Sequence, residues 1–242
     1  MEGKLVLTDP YLAKTDGPFA MGPKRFVPSP IAAQDLPRLD LIAISHNHYD
    51  HIDAKALKAY RWRAETPVVC PLGVGAIMRR LGFAQVTELD WWDEWRFGAL
   101  RVACLPAVHF SGRGLFDRNR TLWCSFAFLS RQRKVWFGGD TAPGDIFREI
   151  GVRTGPYDLA IVGIGAYEPR AIMQSSHATP EEAIGIARDI RARAALVMHW
   201  GTIMLTPEDP FEAPERFRQA ALEQQFGEGN AWINPVGGVK AF

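Results

Sequence analysis

The chain has 242 residues, is 47% hydrophobic and carries a net charge of +1. That is enough apolar material for a sizeable core, and it excludes the basic excess of a nucleic-acid binder, an acidic tail and, with no apolar run near the roughly 20 residues that span a bilayer, a transmembrane helix. No signal peptide is read, and Cys70, Cys104 and Cys124 sit in apolar contexts without metal-type spacing, so they read as reduced core thiols of a cytoplasmic protein.

In chain order, Lys4–Thr8 (K-L-V-L-T) reads as a strand closed by Asp9-Pro10. Residues 11–39 are rich in Pro, Gly and small side chains and read as one long loop, a length often kept for function. The apolar stretch 40–45 (D-L-I-A-I-S) reads as a short buried strand that runs into H-N-H-Y-D-H at 46–51. Asp53 is a candidate N-cap for a helix over 53–62. A strand at 68–70, a helix over 73–81 and a strand at 85–89 follow. Trp91-Trp92-Asp93-Glu94-Trp95 offers two readings, an acyl-chain or membrane contact and a turn whose rings cover a sheet edge, and the second is preferred. Strands are expected at 99–105, 121–129 and 133–138, the last ending in Gly138-Gly139-Asp140, where glycine lets backbone approach a neighbour closely. Helices are expected over 141–150, 179–192 and 214–226, and strands at 158–162 and 195–198, the latter running into His199.

Strands precede a mixture of strands and helices twice over. Apolar strands repeatedly end in a residue capable of chemistry: His46, His109, Asp140 and His199. In layered α/β proteins such strand ends are where loops converge on a site. Three histidines and an aspartate fall within the six residues His46 to His51. In an extended segment His46 and His48 point to the same side and can hold one metal together. Asp50 and His51 are adjacent, so their side chains diverge, and a turn would aim them at a second metal. Without a cation this crowding makes poor sense, because protonating one imidazole penalises its neighbours. Zinc is the default for such nitrogen and oxygen donors, with manganese or iron also compatible.

His46-x-His48-x-Asp50-His51, followed by His109, Asp140 and His199, resembles the metallo-β-lactamase superfamily. Further stretches resemble its branch of phospholipases D that hydrolyse N-acylphosphatidylethanolamine: M-G-P-K-R-F at 21–26, F-G-G-D-T at 137–141, I-G-A-Y-E-P-R at 164–170, H-A-T-P-E-E-A at 177–183 and H-W-G-T at 199–202. The resemblance runs over nearly the whole chain and implies one hydrolase domain over 1–242. The implied fold is an α/β four-layer αβ/βα sandwich with a dinuclear metal site on one edge. By resemblance, His46, His48 and His109 hold one Zn2+, Asp50, His51 and His199 hold a second, and Asp140 bridges them.

Two divalent ions would lower the pKa of a shared water. With two aspartates and a hydroxide they leave a formal charge of about +1, which favours an anionic phosphodiester without excluding a neutral ester, amide or lactone. The resemblance places His177 near the site, for substrate phosphate contact or leaving-group protonation. Asp50 and Asp140 are the other catalytic candidates. Arg113 and Arg170 are candidates for holding phosphate, Arg170 equally for a structural ion pair. The family's glutamine before the equivalent of His177 is Ser176 here, so substrate contacts are expected to differ.

The expected substrate is an N-acylphosphatidylethanolamine-type phospholipid or a smaller phosphodiester, with peripheral membrane contact. A soluble lactone or cyclic phosphodiester is the alternative substrate, and a non-catalytic metal-binding protein the alternative class. Family members carry a strand upstream of the match to Asp9-Pro10, so the first sheet is expected to lack an edge strand, which would also suit a homodimer.

Overall fold

The computed structural model describes residues 1–17 and 21–242. Two sheets are stacked face to face, each covered by helices on its outer side. The first contains β1 (Val6–Thr8), β2 (Leu41–Ala43), β3 (Val68–Pro71) and β4 (Val86–Leu89), in that order and all parallel. β2 and β3 are wholly buried and read as continuous apolar runs, as parallel strands covered on both faces must. β1 stands at the sheet's edge among the described residues. α1 (Ala54–Ala59) and α2 (Gly75–Arg80) pack outside this sheet through Leu57, Tyr60, Val74 and Met78.

The second sheet has the order β11 (Ala231–Trp232), β10 (Ala195–Met198), β9 (Leu159–Gly163), β8 (Lys134–Phe137), β7 (Ser125–Leu129), β6 (Leu100–Leu105) and β5 (Glu94–Phe97). β5 to β8 form an antiparallel meander, and β8 to β11 run parallel. α3 (Ile146–Arg153), α5 (Pro180–Asp189) and α6 (Glu212–Glu223) cover its outer face, with α4 (Arg170–Met173) a single turn at the rim. Leu41, Ala43, Val69, Cys104, Phe126 and Phe137 fill the space between the sheets. The four layers are those the resemblance implies.

Several elements depart from the sequence reading. Residues 121–124 are not strand: their amides cross to the first sheet, Leu122 N–H donating to Leu72 O and Cys124 N–H to Ser45 O. Residues 141–145 are not helical, because Thr141 and Ala142 are used to tie this loop to the one carrying His109. The tryptophan stretch runs into β5, whose exposed and half-buried residues alternate. Trp91 and Trp95 pack on the inter-sheet core, and Trp92 on the outer core under the Arg153 guanidinium. All three cysteines are free and buried.

β1, β2, β6, β8 and β10 share one direction, so their C-terminal ends lie along one edge of the sandwich. At that edge a Cβ on Gly139 would stand 2.7 Å from the Ser45 side chain, and one on Gly165 would stand 2.1 Å from His199 O. Both glycines therefore permit the approach of neighbouring strand ends that no other residue would allow.

Candidate metal centre

The strand ends deliver two groups of donors that meet at Asp140. The first is His46, His48, His109 and Asp140; the second is Asp50, His51, His199 and Asp140. In the first, His46 Nε2 lies 2.9 Å from His48 Nδ1, which is 3.3 Å from His109 Nε2. In the second, His199 Nε2 lies 3.1 Å from Asp50 Oδ2, and His51 Nε2 lies 3.5 Å from the same oxygen. Asp140 Oδ2 is 3.1 Å from His51 Nε2, 3.3 Å from His199 Nε2, 3.8 Å from His109 Nε2 and 3.9 Å from His46 Nε2. One carboxylate oxygen thus faces four imidazoles from both groups. All seven residues inferred as ligands by resemblance converge here.

The hydrogen bonds behind the rings fix which nitrogen faces inward. His109 Nδ1–H donates to Ser176 O at 2.8 Å, leaving Nε2 a free lone pair. His51 Nδ1–H donates to Asp9 Oδ2 at 2.7 Å. Ser45 Oγ–H also donates to Asp9 Oδ2, so that Ser45 Oγ accepts from His46 Nδ1–H at 2.8 Å. Asp9 therefore orients a histidine in each group, one directly and one through Ser45. Both Asp9 and His199 adopt the left-handed backbone region, with φ of 37° and 58°, a cost that surrounding structure must hold in place. Asp9→Ala is expected to weaken metal binding in both groups by about 10- to 100-fold. Titration against a chelating indicator tests this, and unchanged affinity would remove Asp9 from a supporting role.

The electrostatics divide the cage in two. Burial, reinforced by His51, His109 and His48, holds His46 far below the ordinary histidine value. Burial likewise pushes His109 down to about 3 and His177 to about 4. Burial also opposes charge on His51 and His199, yet the Asp140 and Asp50 carboxylates raise both. Burial would raise Asp140, but His199 and His51 outweigh it and hold the carboxyl far below the usual range. Neutral histidines and ionised carboxylates are the forms that bind metal.

The donor set fits divalent ions on an independent observation. Among the described residues, His51 Nε2, an atom of the second donor group, and Asp140 Oδ1 are buried and have no hydrogen-bond partner. Such atoms are costly unless something else binds them. Nitrogen and carboxylate oxygen in this ratio suit zinc and, equally, iron or manganese.

The remaining candidates lie close by. The His177 ring stacks on His199 at 5.6 Å and meets His109 edge-on at 5.1 Å, with Nδ1 4.0 Å from Asp140 Oδ2. It belongs to neither donor group. Burial pushes its pKa down to about 4, so the ring is neutral near pH 7. Arg170 is engaged elsewhere: Nη2 donates to both Glu182 carboxylate oxygens at 2.9 and 3.0 Å, and Nη1 to His177 O at 2.9 Å. Glu182 also completes the capping box of α5 with Thr179. Of the two readings of Arg170, the structure presents the ion pair.

Arg113 Nη1 donates to Asn47 O, His48 O and Ile52 O at 2.9, 3.0 and 3.2 Å, and the guanidinium lies over Tyr49 at 3.8 Å. Phosphate binding was the expectation; the structure instead occupies this cation with clamping the loop that carries His48, Asp50 and His51. Arg113→Met would leave three carbonyls without their donor. It is expected to cost about 2–3 kcal/mol, a fall in melting temperature of roughly 5–10 °C for a chain of this size. Thermal melting checks this, and a loss below about 1 °C would contradict the clamp.

A cavity of about 320 Å³ opens beside the second group, against Asp50, His51 and His199. Its lining is mainly apolar, with Met198, Trp200, Ile203, Met204 and Leu205 on one side and Tyr11 and Arg25 on the other. The M-G-P-K-R-F stretch builds the second wall: Arg25 Nη1–H donates to Tyr11 O, and Phe26 N–H donates to Thr202 O across the gap. Asp9, Ser45 and this cavity were not foreseen as parts of the site.

Comparison with known proteins agrees with the geometry. Residues 4–200 match the family model described as a beta-lactamase superfamily domain. The chain is 38% identical over 232 residues to N-acyl-phosphatidylethanolamine-hydrolyzing phospholipase D 1 of Caenorhabditis elegans, covering 90% of this chain and 65% of that one. The chain thus spans just under two thirds of the length of that curated relative. Among solved structures it resembles an isothiocyanate hydrolase from Delia radicum gut bacteria, with TM-score 0.76 and 21% identity over 99% of this chain and 93% of that one. It also resembles CmlA, a diiron beta-hydroxylase from Streptomyces venezuelae, with TM-score 0.66 and 21% identity over 93% of this chain and 48% of that one. With the family's sandwich, its histidine motif and a match over most of its length, the chain belongs to the beta-lactamase superfamily.

Proposed function

We propose that this chain is a dinuclear metal-dependent hydrolase that cleaves a phosphodiester in an N-acylphosphatidylethanolamine-type lipid, in the manner of a phospholipase D. The observation that carries the two-metal reading is Asp140, whose Oδ2 faces histidines of both donor groups while Oδ1 is buried without a partner. His46, His48 and His109 would hold one ion, Asp50, His51 and His199 the other, with Asp140 shared. When bound, the ions supply Lewis acidity and an activated water at neutral pH. Zinc is the default, and the similarity to a diiron beta-hydroxylase makes iron the alternative ion.

The chain's own residues do the rest. Asp9 and Ser45 hold the histidine rings in orientation. Arg113 keeps the 47–52 loop in register. In this reading His177, whose ring lies beside Asp140, donates a hydrogen bond to a phosphoryl oxygen. The apolar cavity beside Asp50, His51 and His199 suits a lipid better than a small polar diester, and its volume is within the usual range for ligand sites. The name of the worm relative supports the same substrate class.

A lipid substrate also implies contact with a membrane surface. Among the described residues no helix is long and apolar enough to cross a membrane. Leu115 and Phe116 are 92% and 87% exposed on a tip that Asp117 fastens by accepting from Arg113 N–H and Gly114 N–H. The exposed Arg118 and Arg120 follow them in the chain. Replacing both Leu115 and Phe116 by serine is expected to weaken co-sedimentation with anionic phosphatidylglycerol vesicles by about tenfold or more. Equal binding by both proteins would remove this tip from membrane contact.

The substrate test is mass-spectrometric product analysis. Zinc-loaded protein is given N-acylphosphatidylethanolamine and, separately, a generic phosphodiester. Release of N-acylethanolamine and phosphatidic acid is expected. Turnover of the generic diester alone would keep the chemistry and refute the lipid. Turnover of neither by protein holding two metals would refute the phosphodiesterase reading.

A further inference from the structure

We infer that the cleft between the β5–β6 hairpin and the turn from β7 into β8 is a binding site for a soluble phosphomonoester, held by the guanidinium groups of Arg96, Arg101 and Arg131. The cleft lies at the edge of the sandwich opposite the metal donors. β6 spans the six residues Leu100–Leu105 and runs from Arg101 toward those donors over about 20 Å. Nothing about this cleft depends on the reaction proposed above.

The sheet pattern places the three cations. Leu100, Val102 and Trp95 pack into the core between the sheets, so the residues that alternate with them, Arg101 and Arg96, point to the outer face. These two arginines are directly opposite each other in the antiparallel register, with Cβ atoms about 5 Å apart. Arg101 is in turn opposite Leu129, and Arg131 stands two residues beyond Leu129, in the turn toward β8. Further along β6, Ala103 and Leu105 are buried in the outer core with Phe147 and Ile150 of α3, whereas the Arg101 side chain is 41% exposed. A cleft of about 350 Å³ remains there, lined by the three arginines together with Gly98, Ala99 and Ser130.

Like charges in direct opposition destabilise a hairpin, and the protein relieves only one of them. Arg101 Nη1 donates to both Glu94 carboxylate oxygens, at 3.2 and 3.1 Å. Among the described residues neither the Arg96 nor the Arg131 guanidinium makes an ion pair or hydrogen bond with protein. Arg131 uses its backbone N–H, which donates to Glu2 Oε1 at 3.1 Å. Three guanidinium groups thus have Glu94 and Glu2 beside them, and the balance is positive. Gly98 and Ala99, the central residues of the hairpin turn, add N–H groups that donate to no backbone carbonyl among the described residues. This combination selects phosphate. A guanidinium presents a fork of N–H donors that matches phosphate oxygens, and it stays charged at any working pH. A phosphomonoester brings about −1.5 to −2 charges and three acceptor oxygens at neutral pH, one for each arginine, and between Arg96 and Arg101 it turns a repulsion into two attractions. On the membrane reading above, Leu115 and Phe116 meet the bilayer at the opposite, metal-bearing edge, which leaves this cleft to a soluble ester.

Isothermal titration of the metal-loaded chain with glycerol 3-phosphate tests the site, at fixed ionic strength because salt screens such pairs. Arg96→Gln and Arg131→Gln are each expected to weaken binding at the cleft by about tenfold, and the double variant to lose one binding event altogether. Any ester taken up by the metal centre is common to all these proteins, so the difference between them reads the cleft alone. Arg80→Gln, which removes an exposed arginine from α2, controls for bulk charge and is expected to leave binding unchanged. Metal content is expected to be equal in every variant. The ligand-free melting temperature of Arg96→Gln is expected not to fall, since the substitution removes a repulsion, and a lower value would contradict the opposition on which the site is built. Vesicles containing phosphatidic acid offer the same phosphomonoester on a lipid, and the intact chain and the double variant are expected to bind them equally. Absence of the binding event in the intact chain, undiminished affinity in the double variant, or an equal loss in Arg80→Gln overturns the site. Loss of vesicle binding by the double variant overturns the soluble ligand in favour of a lipid headgroup.

Discussion

Asp140→Ala is expected to lower phosphodiester turnover by about a thousandfold or more and to reduce the bound metal below two ions per chain. Asp140 is the one residue common to both major donor groups. Its Oδ2 lies within 3.9 Å of four histidine nitrogens. On the proposed two-ion reading, removing it would take a ligand from each ion and one negative charge from a cage that would have to balance four positive ones. Metal ions contribute several kcal/mol of charge stabilisation in such reactions, and each 1.36 kcal/mol is a factor of ten in rate. Asp140→Asn separates the two contributions: it retains an oxygen donor and the side-chain size but loses the charge, so it should keep more metal than alanine while remaining slow. Metal content by plasma mass spectrometry and turnover on the same preparations check both variants. Two ions retained in Asp140→Ala, with turnover within tenfold of the intact chain, would show that this carboxylate does not join the groups.

The legibility of the site followed sequence distance and the reach of each partner. His46, His48, Asp50 and His51 were readable because one strand and its following turn carry them all. His109, Asp140 and His199 were readable as polar ends of apolar strands, and the family motif joined them. Asp9 was not. Its D-P context reads as the end of a strand, and its role arises only because Thr8 pairs in register with Ala43, which sets Asp9 beside Ser45. Arg113 misled for the same reason: an arginine four residues after a metal-site histidine suggests phosphate, but its three carbonyl acceptors lie more than sixty residues earlier in the chain. Arg170 could be read either way until Glu182 was found opposite it. The fold's layers followed from the alternation of buried strands and amphipathic helices. Its margins did not: β11 has only two residues, and β5 hides in a tryptophan-rich stretch whose turn is real but shorter than supposed.

Stripping the metals should cost the chain more stability than any single substitution away from the cage. Each ion present at a thousandfold excess over its Kd contributes about 4 kcal/mol, so two contribute about 8. At about 2–4 °C per kcal/mol for a chain of this length, chelation should lower the melting temperature by roughly 16–30 °C. The loss should deepen in acid. Burial holds His109 at about 3 and His177 at about 4 in the folded metal-free chain, against an ordinary value of 6.5. As pH falls below 6.5 the unfolded chain takes up these protons first, so the stability contributed by the neutral rings is complete above 6.5 and is lost as pH falls toward 4 and then 3. His46 and His48 are lowered too and act in the same direction. His51 and His199 are raised by their carboxylate neighbours, so their contribution is present below 6.5 and fades as pH rises through their folded values. Four rings against two give a metal-free protein that melts lower at pH 5 than at pH 7. Calorimetry of chelated and zinc-reloaded protein at both pH values checks the prediction. Melting temperatures within a few degrees of each other, with and without metal, would mean that these donors do not hold ions tightly enough to support the proposed chemistry.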